Sequence, residues 1–233
     1  MNVGKVNPKI DLDAVCLGKD SSCIDFSTIE KPIHRALIKE IAALKQSAKK
    51  AGFDLRLASG YRSFERQLKI WNEKANGLRP VLDKNEVPLD VKHLTKKELM
   101  FAILRWSALP GASRHHWGTD FDIYDASSID DAYPLQLTVS ETINDGPFVR
   151  FYRWLAEELK NNQTFFRPYE NDLGGVAPEP WHLSCRGAAI IFQTHFTVEL
   201  LRKNIEKSDM ALKSEVLVHL DEVFERFIKV NKD

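Results

Sequence analysis

The sequence lacks a net charge, because 33 basic residues balance 33 acidic ones over 233 residues. Such a chain has no overall field for holding nucleic acid or an anionic membrane surface, and no run of like charges supplies a local one. It also lacks any run near the roughly 18 apolar residues that a membrane-spanning helix requires. With 11 glycines and 43% hydrophobic residues, the composition excludes collagen-like and disordered chains. A globular protein is therefore expected, with one large domain or one domain and an appendage.

Cysteine is also scarce, with Cys16, Cys23 and Cys185 as the complete set. This odd number argues against a scaffold built from disulfides. Cys16 and Cys23 could pair across a short loop, and three reduced thiols agree equally well with the sequence. The first fifteen residues contain no apolar segment of about 7–15 residues after a basic start, so we expect no secretory signal peptide in the chain as it stands.

Several segments have apolar residues at spacings of three and four, which predicts amphipathic helices. Pro32 suits a first helical turn and Gly52 a helix end. Ser63 can cap a helix, and Thr95 with Glu98 forms a capping box. The predicted helices cover residues 32–52, 63–74, a segment after 95, 148–161, 187–203 and 209–229.

The predicted strands are short and alternate between apolar and polar residues, at 53–59, 119–125, 165–169 and 180–184. Strands with two different faces favour an antiparallel sheet over a buried parallel one. The sequence therefore predicts an α+β fold in which helices flank a small antiparallel sheet. We divide the chain into an extended lead-in (1–30), a main domain (31–205) and a C-terminal helix packed on that domain (206–233).

Three histidine and aspartate side chains stand out because they lie on or beside predicted strands. His115 precedes a glycine-containing turn, Asp122 lies on the polar face of the following strand, and His182 lies on a later strand. A hydrolytic zinc site uses three such ligands and leaves one position open for water. A solvated Asp122 and a hydrogen-bonded His115 would be the ordinary interpretation of two such residues in isolation.

Glu179 favours the zinc site over that ordinary interpretation, because it stands three residues before His182. Hydrolysis at neutral pH needs a carboxylate that accepts a proton from water and delivers it to the leaving amine. Strict strand alternation would place Glu179 and His182 on opposite faces. Glu179 must therefore belong to a loop, with Pro180 marking the change of direction.

Three segments together resemble the VanY-type D-alanyl-D-alanine carboxypeptidases: SGYRSFERQ at 59–67, SRHHWGTDFD at 113–122 and EPWH at 179–182. They are similar to that family's S-G-Y-R-S-x-x-x-Q, S-x-H-x-x-G-x-x-x-D and E-x-W-H signatures, in the same order. The family belongs to a wider group of zinc peptidases that includes lysostaphin-like endopeptidases and shares its fold with hedgehog signalling domains. Residues 1–30 and the C-terminal helix lie outside the resemblance.

The resemblance implies that His115, Asp122 and His182 bind Zn²⁺ and that Glu179 acts as general base and then as general acid. One departure concerns Asp120, since the family commonly has a small residue at that position. Asp120 could bind the metal in place of Asp122, although the motif spacing favours Asp122. It could also orient the neighbouring His116 or a substrate ammonium group.

The resemblance assigns further residues to the substrate. Arg62 matches an arginine held near the scissile carbonyl, where a guanidinium stabilises the charge that develops on oxygen. Gln67 and Ser113 match positions that contact the peptide terminus, and Tyr61 and Trp181 would shape the pocket. The loops at about 76–94 and 126–147 are expected to overhang the site and to select the substrate.

The implied function is a zinc carboxypeptidase that removes a terminal D-alanine from peptidoglycan stem peptides or their precursors. A peptidoglycan endopeptidase, a zinc-containing binding module without activity and an amidohydrolase with another substrate are the alternatives. Intact Glu179 and Arg62 argue against the binding module. Such a substrate implies a periplasmic or extracellular location, while the absence of an export signal leaves a cytoplasmic one open.

Overall fold

The computed structural model describes residues 10–229. Its α-helices are α1 Leu12–Cys16, α2 Ile38–Lys50, α3 Phe64–Ala75, α4 Lys96–Trp106, α5 Val149–Asn161, α6 Arg186–His195, α7 Val198–Glu206, α8 Lys213–Val218 and α9 Leu220–Val223. Its strands are β1 Ile24–Asp25, β2 Ile33–His34, β3 Leu55–Ser59, β4 Asp120–Asp125, β5 Phe165–Phe166 and β6 His182–Cys185. Short 3-10 turns connect these elements, and a π-helical turn at Phe224–Ile228 continues α9.

The strands form two small antiparallel sheets. One pairs β1 with β2, and the other has four strands in the order β3-β4-β6-β5. The central strands β4 and β6 come from distant parts of the sequence and pair through Asp120–Asp122 and His182–Ser184. The predicted α+β class with a small antiparallel sheet is confirmed.

The register of β4 and β6 separates polar from apolar side chains. Asp122 lies opposite His182, and Phe121 lies opposite Leu183. Because side chains alternate along a strand, the aspartates and His182 share one face while Phe121 and Leu183 share the other. A polar row therefore crosses the middle of the sheet.

Buried apolar side chains form two hydrophobic clusters, one on the sheet and one among the helices. The apolar face packs against α2 and α5 through residues such as Ile41 and Phe151, both fully buried. A second cluster gathers α1, α3, α4 and the C-terminal helices around Trp71, Ile103 and Leu220. Leu220, Val223 and Phe227 of the C-terminal segment are buried in this second cluster.

The N-terminal prediction of an extended lead-in is wrong where the structure describes it; residues 1–9 lie outside the described part. Leu12–Cys16 is helical, capped by the Asp11 side chain, which accepts from the Ala14 backbone N–H at 3.1 Å. Val15 and Cys16 are buried in the helical cluster. Five residues are too few for a periodic pattern, so the sequence contained no helical signal here.

Several predicted helix limits also differ from the structure. Pro32 does not begin a helix, because Ile33 and His34 pair with β1 and the His34 ring accepts from the Ala36 N–H to start the 3-10 turn before α2. The predicted helix 187–203 breaks at Phe196, and the Thr197 side chain caps α7. The helix predicted at 209–229 is interrupted at His219 between α8 and α9.

All three cysteines are free thiols. The Cys16 thiol is buried and donates to the Phe192 carbonyl at 3.9 Å, which excludes the Cys16–Cys23 disulfide from this structure. None of the helices within residues 10–229 combines the length and apolar character needed to span a bilayer.

Candidate active site

Three ligand-type side chains converge on the polar face of the sheet. His115 lies in the turn Arg114–Trp117, Asp122 on β4 and His182 on β6, and all three are buried. One ligand atom from each lies within 4.8 Å of the others. His182 and Asp122 meet because they are directly opposed across two antiparallel strands, where β-carbons approach to about 5 Å.

The hydrogen bonds around this cluster orient it for a metal ion. His115 Nε2 lies 3.5 Å from Asp122 Oδ2, and His182 Nδ1 lies 3.1 Å from Asp122 Oδ1. The opposite ring nitrogens are held from outside, His115 Nδ1 at 2.9 Å from the Gly60 carbonyl and His182 Nε2 at 3.2 Å from Asp120. Metal-binding histidines show this arrangement, in which the second nitrogen donates to a fixed acceptor. The donor set fits Zn²⁺.

The charges of the cluster are strongly coupled. Burial lowers the pKa of His115 to about 3. Burial alone would lower the pKa of His182 as well, but the adjacent Asp120 and Asp122 carboxylates outweigh it and raise the pKa to about 10. The two carboxylates that stabilise a proton on His182 would likewise attract a metal cation.

Gly118 makes the turn that presents His115. Its φ of +65° is in the left-handed region, and a β-carbon there would come within 2.8 Å of the His34 backbone nitrogen. The Gly118 N–H donates to the His115 carbonyl at 3.2 Å, and the same carbonyl accepts from the Arg62 N–H at 3.0 Å. Only glycine has the conformational freedom and the small size that this position requires.

Asp120 is held by neighbouring side chains and does not belong to the cluster of possible ligands. Its side chain is fully buried and accepts from Arg114 Nε at 2.6 Å and from Thr119 Oγ1 at 2.8 Å, beside His182 Nε2. Arg114 also donates to Ser184 Oγ at 2.7 Å. Asp120 therefore contacts the far side of His182, and the cluster of possible ligands contains Asp122 instead.

His116 is held by other groups than Asp120. Its Nδ1 donates to the Arg62 carbonyl at 2.6 Å, and its Nε2 accepts from the Gly111 N–H at 3.1 Å. The expectation that Asp120 orients His116 is therefore wrong. Asp120 and His116 are separated because the strand directs Asp120 toward β6 while the preceding turn directs His116 toward Arg62.

Glu179 lies in the loop before β6, as predicted. The prediction required a loop position because strand alternation would place Glu179 and His182 on opposite faces. Its N–H donates to the Tyr169 carbonyl at 2.8 Å, and its carbonyl accepts from the His182 N–H at 3.1 Å. Oε2 then lies 3.5 Å from His182 Nδ1, with 16% of the side chain exposed. Burial raises the pKa of Glu179 to about 7. Such a group can both accept and release a proton near neutral pH.

Arg62 enters the same pocket and is fixed by Gln67. Arg62 Nη1 donates to Gln67 Oε1 at 2.9 Å, and Gln67 Nε2 donates to the Ala108 carbonyl at 2.6 Å. Gln67 is fully buried, so its side chain supports Arg62 from behind the pocket wall. Its predicted contact with substrate stays a prediction.

These groups open into a cavity of about 270 Å³. Ser113 and Trp181 line it, as their assignment to the substrate requires. Tyr61 does not line this cavity, because its hydroxyl donates to the Gly18 carbonyl at 3.3 Å and its ring packs edge-on against Phe26. Tyr61 therefore packs against Gly18 and Phe26, away from the cavity.

Both predicted loops reach the cavity. Leu82 and Glu86 come from the first loop, and residues 136–138 come from the second. Glu86 Oε1 accepts from the Val139 N–H at 2.6 Å, which ties the two loops together. The cavity is smaller than typical drug-sized pockets, so it fits the end of a peptide.

Sequence reasoning missed three residues of the site. The Tyr169 ring lies 5.2 Å from the His182 ring, and Lys74 of α3 lines the cavity wall. Arg114, buried beside Asp120, was also overlooked. The i, i+7 spacing of Gln67 and Lys74 on one helix could have indicated Lys74. No local pattern marked Tyr169 or Arg114.

Comparison with known proteins agrees with this geometry. A family model described as VanY, D-alanyl-D-alanine carboxypeptidase, matches residues 30–188. The Bacillus subtilis protein YodJ is 30% identical over 195 residues, which cover 79% of this chain and 60% of that protein. An uncharacterised Haemophilus influenzae protein is 49% identical over 72 residues. The chain spans only 49% of the length of that Haemophilus protein.

A solved structure shares the fold. VanYB in complex with D-alanine-D-alanine superposes with a TM-score of 0.50 at 22% identity, and the match covers 79% of this chain and 89% of that one. At this identity the likeness concerns the arrangement of helices and strands.

Proposed function

Since the chain belongs to the VanY family of D-alanyl-D-alanine carboxypeptidases, we propose that it removes the terminal D-alanine from peptidoglycan stem peptides or their precursors. One observation carries the proposal: Glu179 lies 3.5 Å from His182 at the edge of the His115, Asp122 and His182 cluster. A proton acceptor beside a two-histidine, one-carboxylate set is the arrangement that metal-assisted peptide hydrolysis requires.

His115, Asp122 and His182 would hold Zn²⁺ through His115 Nε2, an Asp122 oxygen and His182 Nδ1. The ion supplies a Lewis acid that polarises the scissile carbonyl and lowers the pKa of water. Gly60 and Asp120 keep the two rings in the required orientation through their other nitrogens. This part of the proposal rests on the donor set and on the hydrogen bonds behind it.

Glu179 would move the proton. Its carboxylate accepts a proton from the attacking water as the oxygen–carbon bond forms. It then delivers that proton to the amine nitrogen as the carbon–nitrogen bond breaks, which releases D-alanine. A pKa raised to about 7 by burial keeps both steps accessible at neutral pH.

Arg62 would stabilise the negative charge that develops on the carbonyl oxygen. Gln67 accepts from the Arg62 guanidinium and the His116 ring donates to the Arg62 backbone carbonyl, so the position of Arg62 is fixed.

We expect Arg62→Ala to lower kcat by ~10²–10³ with a smaller change in KM. Steady-state kinetics on a stem peptide would measure this. Arg66→Ala is the matched control, since Arg66 is exposed in the first turn of α3, four residues after Arg62. An equal loss in both variants would contradict the assignment.

The proposed reaction is tested by mass spectrometry of products. Purified protein with Zn²⁺ is incubated with synthetic stems that end in D-Ala-D-Ala and with stems that end in L-Lys-D-Ala or its diaminopimelate equivalent. We expect one stem to lose a single D-alanine with wild-type protein and to remain intact with Glu179→Ala.

The stem that reacts identifies the bond as D,D or L,D. Cleavage of cross-linked dimers without loss of a terminal residue would instead assign an endopeptidase. If no stem and no dimer reacts while Zn²⁺ still binds, the peptidase proposal is wrong and a binding module is left.

A further inference from the structure

Lys74 is a cation on the wall of the active-site cavity that the mechanism above leaves without a role. It lies in the last turn of α3, seven residues after Gln67. Residues spaced by seven share a helix face, so the face that supports Arg62 also carries Lys74. Both Lys74 and Arg62 line the cavity that contains Glu179.

Lys74 has no anionic partner within the part of the chain that the structure describes. The neighbouring carboxylate, Glu73, is already paired with Arg79 and lies 3.8 Å from Lys69 Nζ. The Lys74 side chain is half-buried and has no hydrogen bond or ion pair among residues 10–229. An ammonium group removed from water without a partner is unfavourable, so this side chain is suited to an incoming anion.

The surroundings of Lys74 locate that anion near the scissile bond. Burial, together with the charges of Arg79 and Arg62, lowers the pKa of Lys74 to about 8, and the Glu179 carboxylate acts in the opposite direction. The Lys74 ammonium group is therefore close enough to Arg62 and Glu179, the two groups assigned to the reacting peptide, for their charges to act on it. It is still mainly protonated at neutral pH.

We propose that Lys74 binds the terminal carboxylate of the leaving residue and so makes a free C terminus a requirement for cleavage. The inference rests on the proposed function, since only a carboxypeptidase substrate carries this carboxylate one residue beyond the scissile carbonyl. Arg62 is committed to the carbonyl oxygen and to Gln67. Among the residues that line the cavity, Lys74 is then the cation that can bind the terminal carboxylate.

The test compares substrates that differ only at the terminal group. Stem peptides with a free C-terminal carboxylate and with a C-terminal amide are supplied to wild type, Lys74→Met, Lys74→Gln and Lys74→Arg, all loaded with Zn²⁺. The methionine variant keeps the length of the side chain without its charge, and the arginine variant keeps a charge. The readout is the ratio of kcat/KM for the acid to that for the amide, from mass spectrometry of products.

We expect wild type to favour the acid, and Lys74→Met and Lys74→Gln to lose roughly 10–100-fold of that preference, as for the loss of a charge-assisted contact. Lys74→Arg should keep most of it. A folding defect lowers both rates together and leaves the ratio unchanged, so the ratio isolates recognition of the carboxylate.

An unchanged ratio in both uncharged variants would overturn the inference. So would a change in preference between lysine and diaminopimelate stems at constant acid-to-amide ratio, since Lys74 would then bind a side-chain carboxylate. If wild type cleaves acid and amide stems equally, the free C terminus is no requirement. If wild type cleaves neither, the proposed function itself fails, whatever the variants do.

Discussion

Replacing Glu179 with glutamine should lower kcat on a stem peptide by ~10²–10⁴ and leave Zn²⁺ affinity within a few-fold. Glutamine keeps the size of the side chain and the hydrogen-bonding oxygen, but it cannot accept a proton from water. Glu179 does not belong to the group of possible metal ligands, so Zn²⁺ binding should survive. Turnover and Zn²⁺ affinity, by chelator competition, would be measured on the same preparations.

The matched control for that substitution is Glu170→Gln. Glu170 lies on the segment that leads toward the site, but 63% of its side chain is exposed and it contacts Arg167 only weakly, at 3.6 Å. We expect its substitution to leave kcat unchanged. Residual activity of Glu179→Gln within tenfold of wild type would show that another group takes the proton, and Tyr169 beside His182 would be the next residue to test.

The second large effect concerns Asp120. Asp120→Asn should weaken Zn²⁺ binding by about 10–100-fold, the usual cost of removing the group behind a metal-bound histidine. The carboxylate lies 3.2 Å from His182 Nε2 and is buried with Arg114. Asparagine keeps an acceptor for the ring but loses the charge that makes His182 a stronger ligand. Chelator competition measures the affinity, and the absorption spectrum of the Co²⁺-substituted protein reports the ligand geometry.

A destabilised fold could imitate that effect, so Asp125→Asn is the control. Asp125 is also buried on β4, but it accepts hydrogen bonds from the Asp54 N–H, Ser127 and Ser128 at the end of the strand. The Asp125→Asn substitution should change the free energy of unfolding without changing Zn²⁺ affinity. Equal affinity losses in both variants would contradict a positioning role for Asp120. The harsher Asp120→Ala leaves Arg114 buried without an anionic partner and should cost ~3–5 kcal/mol of stability.

The buried ion pair between Arg114 and Asp120 also explains why the polar face of the sheet can hold a second aspartate. Arg114 neutralises Asp120, and the guanidinium lies 4.8 Å from the centre of the Trp117 ring, which shields the pair from water. Asp122 is then the carboxylate left for a metal ion. The choice between Asp120 and Asp122 depends on Arg114, which lies in the turn before the strand.

Prediction from the sequence worked best where the signal was local. The Ser63 cap, the Thr95 and Glu98 capping box and the strand β4 all appear in the structure as expected. These features depend on neighbours within a few residues. Predictions failed where distant segments decide the conformation: Ile33 and His34 join β1 and not a helix, and α1 forms because Val15 and Cys16 find a buried site.

The order and type of the motif residues identified the family and most of the candidate site residues. The alternation of the short strands identified the α+β class. Those properties follow from spacing along the chain. Only the tertiary structure decided which nitrogen of each histidine faces the ligand cluster, that Asp120 lies behind His182, and that Tyr61 points away from the cavity while Lys74 lines it. These outcomes depend on the register between β4 and β6 and on the packing of α3 within the helical cluster. Contacts between residues about sixty positions apart leave no periodic trace in the sequence.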